Sequence, residues 1–249
     1  MSDMNLLEVD ELSLYFGDPY VVNKYMTITL PKIGDLVRYG EQRYFNLVQR
    51  VTAIPSEMKS RLWDVGIDWT QMTNFQLFML IAPSLNINET SILFGDLDFS
   101  ALRPFGNEQN DMVALKNPNT GVIIDELAYG KMSSYLCAAH NLHKKVEKAA
   151  NEFTKRFMID EDRQKHEYNA KQPYKSFLRP LISAVKCRQG YTLDYVKNMG
   201  IFEFMDDLNR LQIIVNTDAL LNGMYSGFVD TKKIPKKNFD WCRDITKET

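Results

Sequence analysis

The stretch that most constrains the fold of this chain runs from residue 201 to residue 215. Its apolar residues recur at intervals of three and four, which places them on one face of a helix with acidic and polar residues opposite. Such a helix is unstable alone in water, so we expect it to pack against residues 177–185 and 225–228. The apolar stripe consists of Ile201, Phe204, Met205, Leu208, Leu211 and Val215.

Composition and charge limit the kinds of protein this chain can be. With 249 residues and 45% hydrophobic content, it can build a substantial core in one large domain or two small ones. The 30 Lys and Arg balance 32 Asp and Glu, so no overall field directs the chain to nucleic acid or anionic lipid. Residues 1–13 are acidic and lack signal-peptide character. No apolar run approaches the roughly 20 residues that span a bilayer, so we expect no membrane segment.

The cysteines indicate a reducing compartment. Cys137, Cys187 and Cys242 are an odd number and contain no close pair, which does not suit a disulfide framework. The sequence therefore predicts a protein that is made and works in a cytosol.

The N-terminal half mixes helical and β patterns. Residues 1–20 predict a short helix that docks on the body, and the β-branched residues of 20–30 predict a strand. Residues 39–52 have helical spacing, and Ser56 is predicted to cap a helix that ends before Gly66.

A sharper helix signal begins at Met72. Thr73 and Gln76 form a capping box and Met72 with Leu77 a hydrophobic staple, which predicts a helix over residues 74–82. One aromatic cluster is expected to join the helices of this region, although an aromatic box for a ligand is an alternative. Its members are Trp63, Trp69, Phe75 and Phe78.

Two β segments and a long polar segment follow. Residues 112–116 and 122–124 predict a β-hairpin, and Asp125 is placed to cap a helix that reaches about residue 141. Residues 140–171 contain eight Lys or Arg and six Asp or Glu around sparse apolar residues, which predicts one or two long helices with solvated flanks. A basic face for nucleic acid is disfavoured because acids separate the basic pairs. The apolar positions are Val146, Ala149, Ala150, Phe153 and Phe157.

The C-terminal half is predicted to be helical. Pro180 fits the first turn of a helix that continues to Gln189 and is closed by Gly190. Phe239 and Trp241 near the end of the chain are expected to pin the tail to the body.

Cys137, His140 and His143 are the one cluster with the spacing of metal ligands. Three ligands are too few for a structural zinc site, and no further Cys or His is close in sequence. Buried Cys137 with surface histidines is therefore the favoured interpretation, with a zinc site as the alternative.

Two groups of carboxylates could hold Mg²⁺ for phosphoryl chemistry, but neither has a partner motif. Asp96 and Asp98 indicate a turn, and residues 160–162 indicate a charged helix surface. Nucleotide-binding loops and nucleophile elbows are absent from the sequence. Asp206 and Asp207 are expected to be solvated. We therefore expect no enzymatic activity and assign no catalytic, cofactor-binding or metal-binding residue.

Several stretches of packing and turn residues stand out along the chain. They are ITLPKIGDL at 28–36, GE at 40–41, AIPSEMK at 53–59, LWDVGIDW at 62–69, NFQLF at 74–78, LFGDLDF at 93–99, PLIS at 180–183, FEFM at 202–205 and GMYSG at 223–227. Together they resemble tail-module proteins from phages and prophages of Gram-positive bacteria, and the similarity spans about residues 25–241.

The resemblance implies a tail assembly chaperone that keeps the tape-measure protein soluble in the host cytoplasm until the tail tube polymerises around it. It identifies no partner-binding residue, and it leaves open other tail proteins as partners and self-association. A structural component of the virion tail, neck or baseplate is the alternative.

From these patterns we predict an α+β protein that is mainly α-helical. Residues 1–140 form a mixed N-terminal lobe, residues 141–172 a charged helical connector and residues 173–249 a helical C-terminal lobe. The apolar stripe of residues 201–215 is then either wholly internal or partly a groove for another protein.

Overall fold

The computed structural model describes residues 9–106, 112–227, 230, 232 and 234–244. This part of the chain is 62% helical and contains two small antiparallel sheets, so the predicted α+β, mainly helical fold is confirmed. The α-helices are, in chain order, α1 Glu11–Phe16, α2 Ile33–Tyr39, α3 Glu41–Val51, α4 Lys59–Asp64, α5 Asn74–Ile81, α6 Ile87–Phe94, α7 Glu126–Ala139, α8 Glu152–Ala170, α9 Leu178–Gln189, α10 Leu193–Asn198 and α11 Ile201–Tyr225.

The two sheets are a hairpin and a three-stranded meander. The hairpin predicted from residues 112–116 and 122–124 is confirmed and forms two strands of the meander. Its buried residues Leu115 and Ile124 lie opposite each other. A further strand, residues 103–106, pairs with residues 112–116 and was not predicted, because Pro104 and Gly106 hide its β character. The strands are β1 Tyr20–Asn23, β2 Met26–Ile28, β3 Arg103–Gly106, β4 Met112–Lys116 and β5 Ile123–Asp125.

The single strand predicted over residues 20–30 is wrong, because the chain reverses at Asn23 to form β1 and β2. The side-chain oxygen of Asn23 accepts hydrogen bonds from the N–H groups of Tyr25 and Met26 at 2.8 and 3.0 Å. This local bonding closes the turn in the way that is characteristic of Asn.

The helix-end signals were reliable where side chains reach the backbone. In α5, the N–H of Gln76 donates to Thr73 Oγ1 at 3.1 Å, and the N–H of Thr73 donates to Gln76 Oε1 at 2.8 Å. Asp125 accepts from the N–H of Ala128 at 2.8 Å and caps α7. Gly190 ends α9 in the left-handed conformation. The capping box, the Asp125 cap and the glycine stop are therefore confirmed.

The capping box gives a stability prediction. Replacing Thr73 by Ala removes the acceptor for the N–H of Gln76 and is expected to lower the free energy of unfolding by about 1 kcal/mol. Urea unfolding followed by circular dichroism measures the loss. Thr73→Ser keeps the hydroxyl and should retain most of the stability. Equal losses in the two variants would contradict the capping role.

One prediction in the middle of the chain is wrong: Ser56 does not cap α4, because Pro55–Glu57 forms a 3-10 helix and the residue before α4 is Met58. The one or two long helices predicted over residues 140–171 are one helix, α8, that begins at Glu152, and residues 142–149 form neither helix nor strand.

A main hydrophobic core joins α9, α10 and α11 to the helices and sheets of the N-terminal half. Ile201 and Phe204 of α11 are fully buried in it. Packing of α11 against α9 is confirmed, and α1 also contacts α11. The expected contact with 225–228 is wrong for Tyr225, which lies at the exposed end of α11 itself, and Phe228 lies outside the described residues.

A second core lies between α4 and α8. It contains Leu62 and Ile159, with Trp69 and Leu77 beside them. The division of the chain at residues 141 and 173 stays a prediction.

The C-terminal tail is attached to α11 mainly by polar contacts. Arg210 donates to the carbonyls of Trp241 and Arg243 at 2.8 and 2.9 Å, and the Thr217 hydroxyl donates to the carbonyl of Asn238 at 3.2 Å. The indole of Trp241 itself is exposed. The predicted attachment is thus present, but Trp241 contributes its backbone to it.

Candidate functional site

A half-open cleft of about 590 Å³ separates residues 54–74 from residues 146–155. One wall comes from the 3-10 helix at Pro55 and the segment around Trp69, and the other comes from the chain that leads into α8. The lining mixes apolar side chains with lysines, amides and carboxylates, so an occupant would find both apolar contact and hydrogen bonds. The lining includes Ile54, Trp69, Met72, Val146, Lys148 and Lys155.

Lys59 fastens the two walls together at the side of α4. Its buried ammonium group donates to the carbonyl of Ser56 at 2.6 Å and to Glu147 at 2.5 Å. It also lies 5.8 Å from the ring centroid of Trp69. The carboxylate of Glu147 and the ring of Trp69 offset the free-energy cost of removing the Lys59 ammonium group from water. The cleft wall at Glu147 is therefore held in a defined place.

Lys155 makes a second buried contact across the site. Its ammonium group forms an ion pair with Asp68 and lies 3.6 Å from Glu152. The hydrogen bond to Asp68 raises the pKa of the Lys155 amine. Burial acts to raise the pKa of Asp68, but hydrogen bonds from Lys155 and Thr70 outweigh it and leave that pKa lowered. Both groups are thus charged near neutral pH and join α8 to the segment that begins at Asp68.

The expected aromatic cluster is wrong, because its members separate into different surroundings. Phe75 and Phe78 belong to the main core and contact Tyr129, whereas Trp69 belongs to the second core. Trp63 is partly exposed, with Lys155 5.8 Å from its ring centroid. Of the four, Trp69 lines the cleft. Its indole N–H is buried and has no acceptor among the described residues.

The carboxylates considered for metal binding support local structure instead. Asp98 accepts from the N–H and hydroxyl of Ser100, while Asp96 is exposed. Asp162 accepts from the N–H and hydroxyl of Ser60 at 3.0 and 2.7 Å and so joins α8 to α4. The prediction of a charged helix surface for residues 160–162 is therefore wrong at Asp162, whose side chain is largely buried.

The three residues with the spacing of metal ligands, Cys137, His140 and His143, lie in different surroundings. His140 is buried, with Nδ1 2.7 Å from the carbonyl of Leu136 and Nε2 2.7 Å from the Tyr44 hydroxyl. A carbonyl only accepts, so Nδ1 carries the proton and Nε2 accepts from Tyr44. The expectation that His140 lies at the surface is wrong, while His143 is exposed. Within the described ranges, no three His, Cys, Asp or Glu side chains are grouped to hold a metal ion.

Cys137 and the other two cysteines are free thiols. Cys137 is partly buried, and burial raises the pKa of its thiol. This makes the thiolate scarce at neutral pH, so Cys137 is a poor nucleophile in this position.

The two aspartates of α11 are less solvated than predicted. Burial raises the pKa of Asp206 and of Asp207, and the Tyr191 hydroxyl lies 3.4 Å from Asp207. Tyr15 of α1 is close to the same carboxylates, and burial followed by their charge raises its pKa to about 12. Asp206 and Asp207 are therefore partly buried, and α1 packs against the helix that carries them.

Large apolar side chains project into solvent from residues 142–149 and from the first turns of α8. Val146, Phe153 and Phe157 are 63%, 82% and 63% exposed. Phe153 and Phe157 are exposed because Lys155 and Ile159 turn the opposite side of α8 to the protein. Sequence reasoning missed this surface, since apolar spacing alone does not say which face the neighbouring helix covers.

Among the described helices, none combines the length and the apolar character that crossing a bilayer requires.

Comparison with known proteins gives a match to a family model. A family model described as the YomV second domain matches residues 170–246, from the end of α8 through α11 into the tail. No curated protein and no solved structure gives a significant match. The matched family is derived from a Bacillus prophage, and the similarity therefore supports a phage origin for this chain.

Proposed function

We propose that this chain is a non-enzymatic phage tail morphogenesis protein that acts as a tail assembly chaperone in the host cytoplasm. Its client is an apolar segment of the tape-measure protein, which it holds in solution before the tail tube forms. The phage-derived family match at residues 170–246 and the tail-module resemblance support this assignment.

The observation that carries the proposal is the set of exposed apolar side chains between residues 146 and 157. Val146 lines the cleft, whereas Phe153 and Phe157 lie on the solvent side of α8, opposite Lys155. An exposed phenyl ring contributes about 1.5–3 kcal/mol when a partner removes it fully from water. Such rings on a folded, charged surface suit a protein that takes up an apolar segment reversibly.

The absence of catalysis is part of the same proposal. His140 has both ring nitrogens engaged, Asp98 and Asp162 serve local contacts, and Cys137 has a raised thiol pKa. Calorimetric titration with Mg²⁺ or Zn²⁺ checks the assignment. Stoichiometric metal binding that is lost in Asp98→Asn or in His140→Gln would contradict it.

Co-expression with the cognate tape-measure protein tests the function. We expect the tape-measure protein to be soluble and to co-purify with this chain, and the double variant Phe153→Ser/Phe157→Ser to recover roughly tenfold less of it. Phe16→Ser is the matched control, because Phe16 is 75% exposed and belongs to α1, outside the apolar surface of residues 146–157. It should co-purify the client as the parent chain does.

The outcomes separate the alternatives. A tape-measure protein that stays insoluble and does not co-purify would remove the chaperone assignment. Mass spectrometry of purified virions addresses the structural role: stoichiometric copies of this chain would make it a tail or neck component. A chaperone is expected to be absent or present only in traces.

A further inference from the structure

The non-helical part of the predicted connector, residues 142–149, carries a run of unpaired backbone groups. The N–H of Leu142 donates to the carbonyl of Cys137 at 2.8 Å, and the next intrachain backbone bond runs from Lys155 to Asn151. From residue 143 to residue 150 no backbone N–H donates to another described residue. An extended peptide can pair with such free donors and acceptors as an added strand.

The connector is nevertheless fixed in place. Side-chain contacts on one flank attach it to the segment that leads into α4, so its free backbone groups are presented with little loss of entropy on binding. The contacts are the ion pair of Lys144 with Glu57 at 2.8 Å, the ion pair of Glu147 with Lys59 at 2.5 Å, and the bond from Ser56 Oγ to the carbonyl of Lys145 at 3.4 Å.

The cleft beside the connector defines the chemistry of the peptide. Trp69 and Met72 offer apolar contact, and the Trp69 indole N–H lacks an acceptor within the described part of the chain. Lys148 also lines the cleft, is exposed and has no ion pair with a described residue. An apolar side chain followed or preceded by a carboxylate therefore suits this lining.

We infer that the client binds as an extended strand along residues 143–149. One of its apolar side chains enters the cleft between Trp69 and Met72, and an acidic residue lies near Lys148. This inference rests on the proposed function, because its occupant is a segment of the tape-measure protein.

Tryptophan fluorescence detects binding at the cleft. In the variant Trp63→Phe/Trp241→Phe the remaining indole is Trp69, and overlapping synthetic peptides that cover the tape-measure protein are titrated into it. We expect a subset of peptides rich in apolar and acidic residues to shift the Trp69 emission. Hydrogen exchange should then slow at amides within residues 143–149.

Val146→Pro tests the strand pairing directly. Proline removes the N–H of residue 146, which has no partner within the described chain, and the urea unfolding curve measures whether the variant stays folded. Peptide binding should weaken roughly tenfold, because pairing hydrogen bonds are lost. Val146→Ala keeps the N–H and is the matched control for the side chain, so it should bind more tightly than the proline variant.

A second measurement leaves the protein unaltered. Two peptides are compared, one methylated at the odd and one at the even backbone nitrogens. Because alternate N–H groups of a strand pair with the same neighbour, one of the two peptides should lose binding and the other should keep it. Equal binding of Val146→Pro and Val146→Ala, or of both methylated registers, would overturn the strand inference. If no peptide binds while the full tape-measure protein still co-purifies, the strand inference falls and the proposed function stands. If co-purification also fails, the proposed function falls.

Discussion

Acidification from pH 7 to pH 4 is expected to remove up to about 3 kcal/mol of unfolding free energy through His140 alone. Burial lowers the pKa of His140 from 6.5 to about 4, against a smaller opposing effect of its hydrogen bond to Leu136. Between these two values the unfolded chain binds a proton that the folded chain does not, so stability falls as the pH falls. The loss begins near pH 6.5 and is complete near pH 4.

The difference between the parent chain and His140→Gln isolates this effect, since glutamine does not titrate. Urea unfolding at a series of pH values should show the stability advantage of the parent chain shrinking toward pH 4. Asp206 and Asp207, with raised pKa values, act in the opposite direction but cancel in the difference. His143→Gln is the control, because His143 is exposed.

An NMR titration of the His140 ring checks the same point without a variant. We expect its ring protons to shift only as the pH approaches 4. A midpoint near 6.5 would mean that the buried pair with Tyr44 is open in solution, and it would contradict the prediction.

Local signals in the sequence predicted the parts of the fold that local bonding controls. The Thr73 box, the Asp125 cap and the stop at Gly190 involve residues within a few positions of each other. The hairpin at Asn23 depends on equally local bonds. The prediction of a single strand gave more importance to the β-branched residues around Asn23 than to the turn preference of Asn23 itself. The turn signal was therefore present in the sequence.

The candidate site could not be predicted in the same way, because its contacts join distant parts of the chain. Lys59 pairs with Glu147, and Lys155 with Asp68. Nothing in a single sequence identifies such partners. Asp162 illustrates the consequence: its spacing placed it on a charged helix, but only the position of Ser60 determines that it faces inward. The same helix orientation leaves Phe153 and Phe157 in solvent.

The second large effect is expected at the helix whose apolar pattern dominates the sequence. Phe204 is fully buried in the main core, and Phe204→Ala should lower the free energy of unfolding by about 3–5 kcal/mol through lost apolar burial and the cavity left behind. This is a large part of the roughly 5–15 kcal/mol that stabilises a typical domain. Thermal and urea unfolding measure the loss, and a change below about 1 kcal/mol would contradict the packing of α11.

Phe153→Ala is the matched control, because it removes the same ring from a helix where that ring is 82% exposed. Its unfolding free energy should change by less than about 0.5 kcal/mol. Under the proposed function, Phe153→Ala should nevertheless weaken client binding, whereas any binding defect of Phe204→Ala should follow the fraction of unfolded protein. If Phe204→Ala stays fully folded at the assay temperature yet loses the client, the stripe of α11 contributes to binding. The pair thus distinguishes an internal stripe from a groove for another protein.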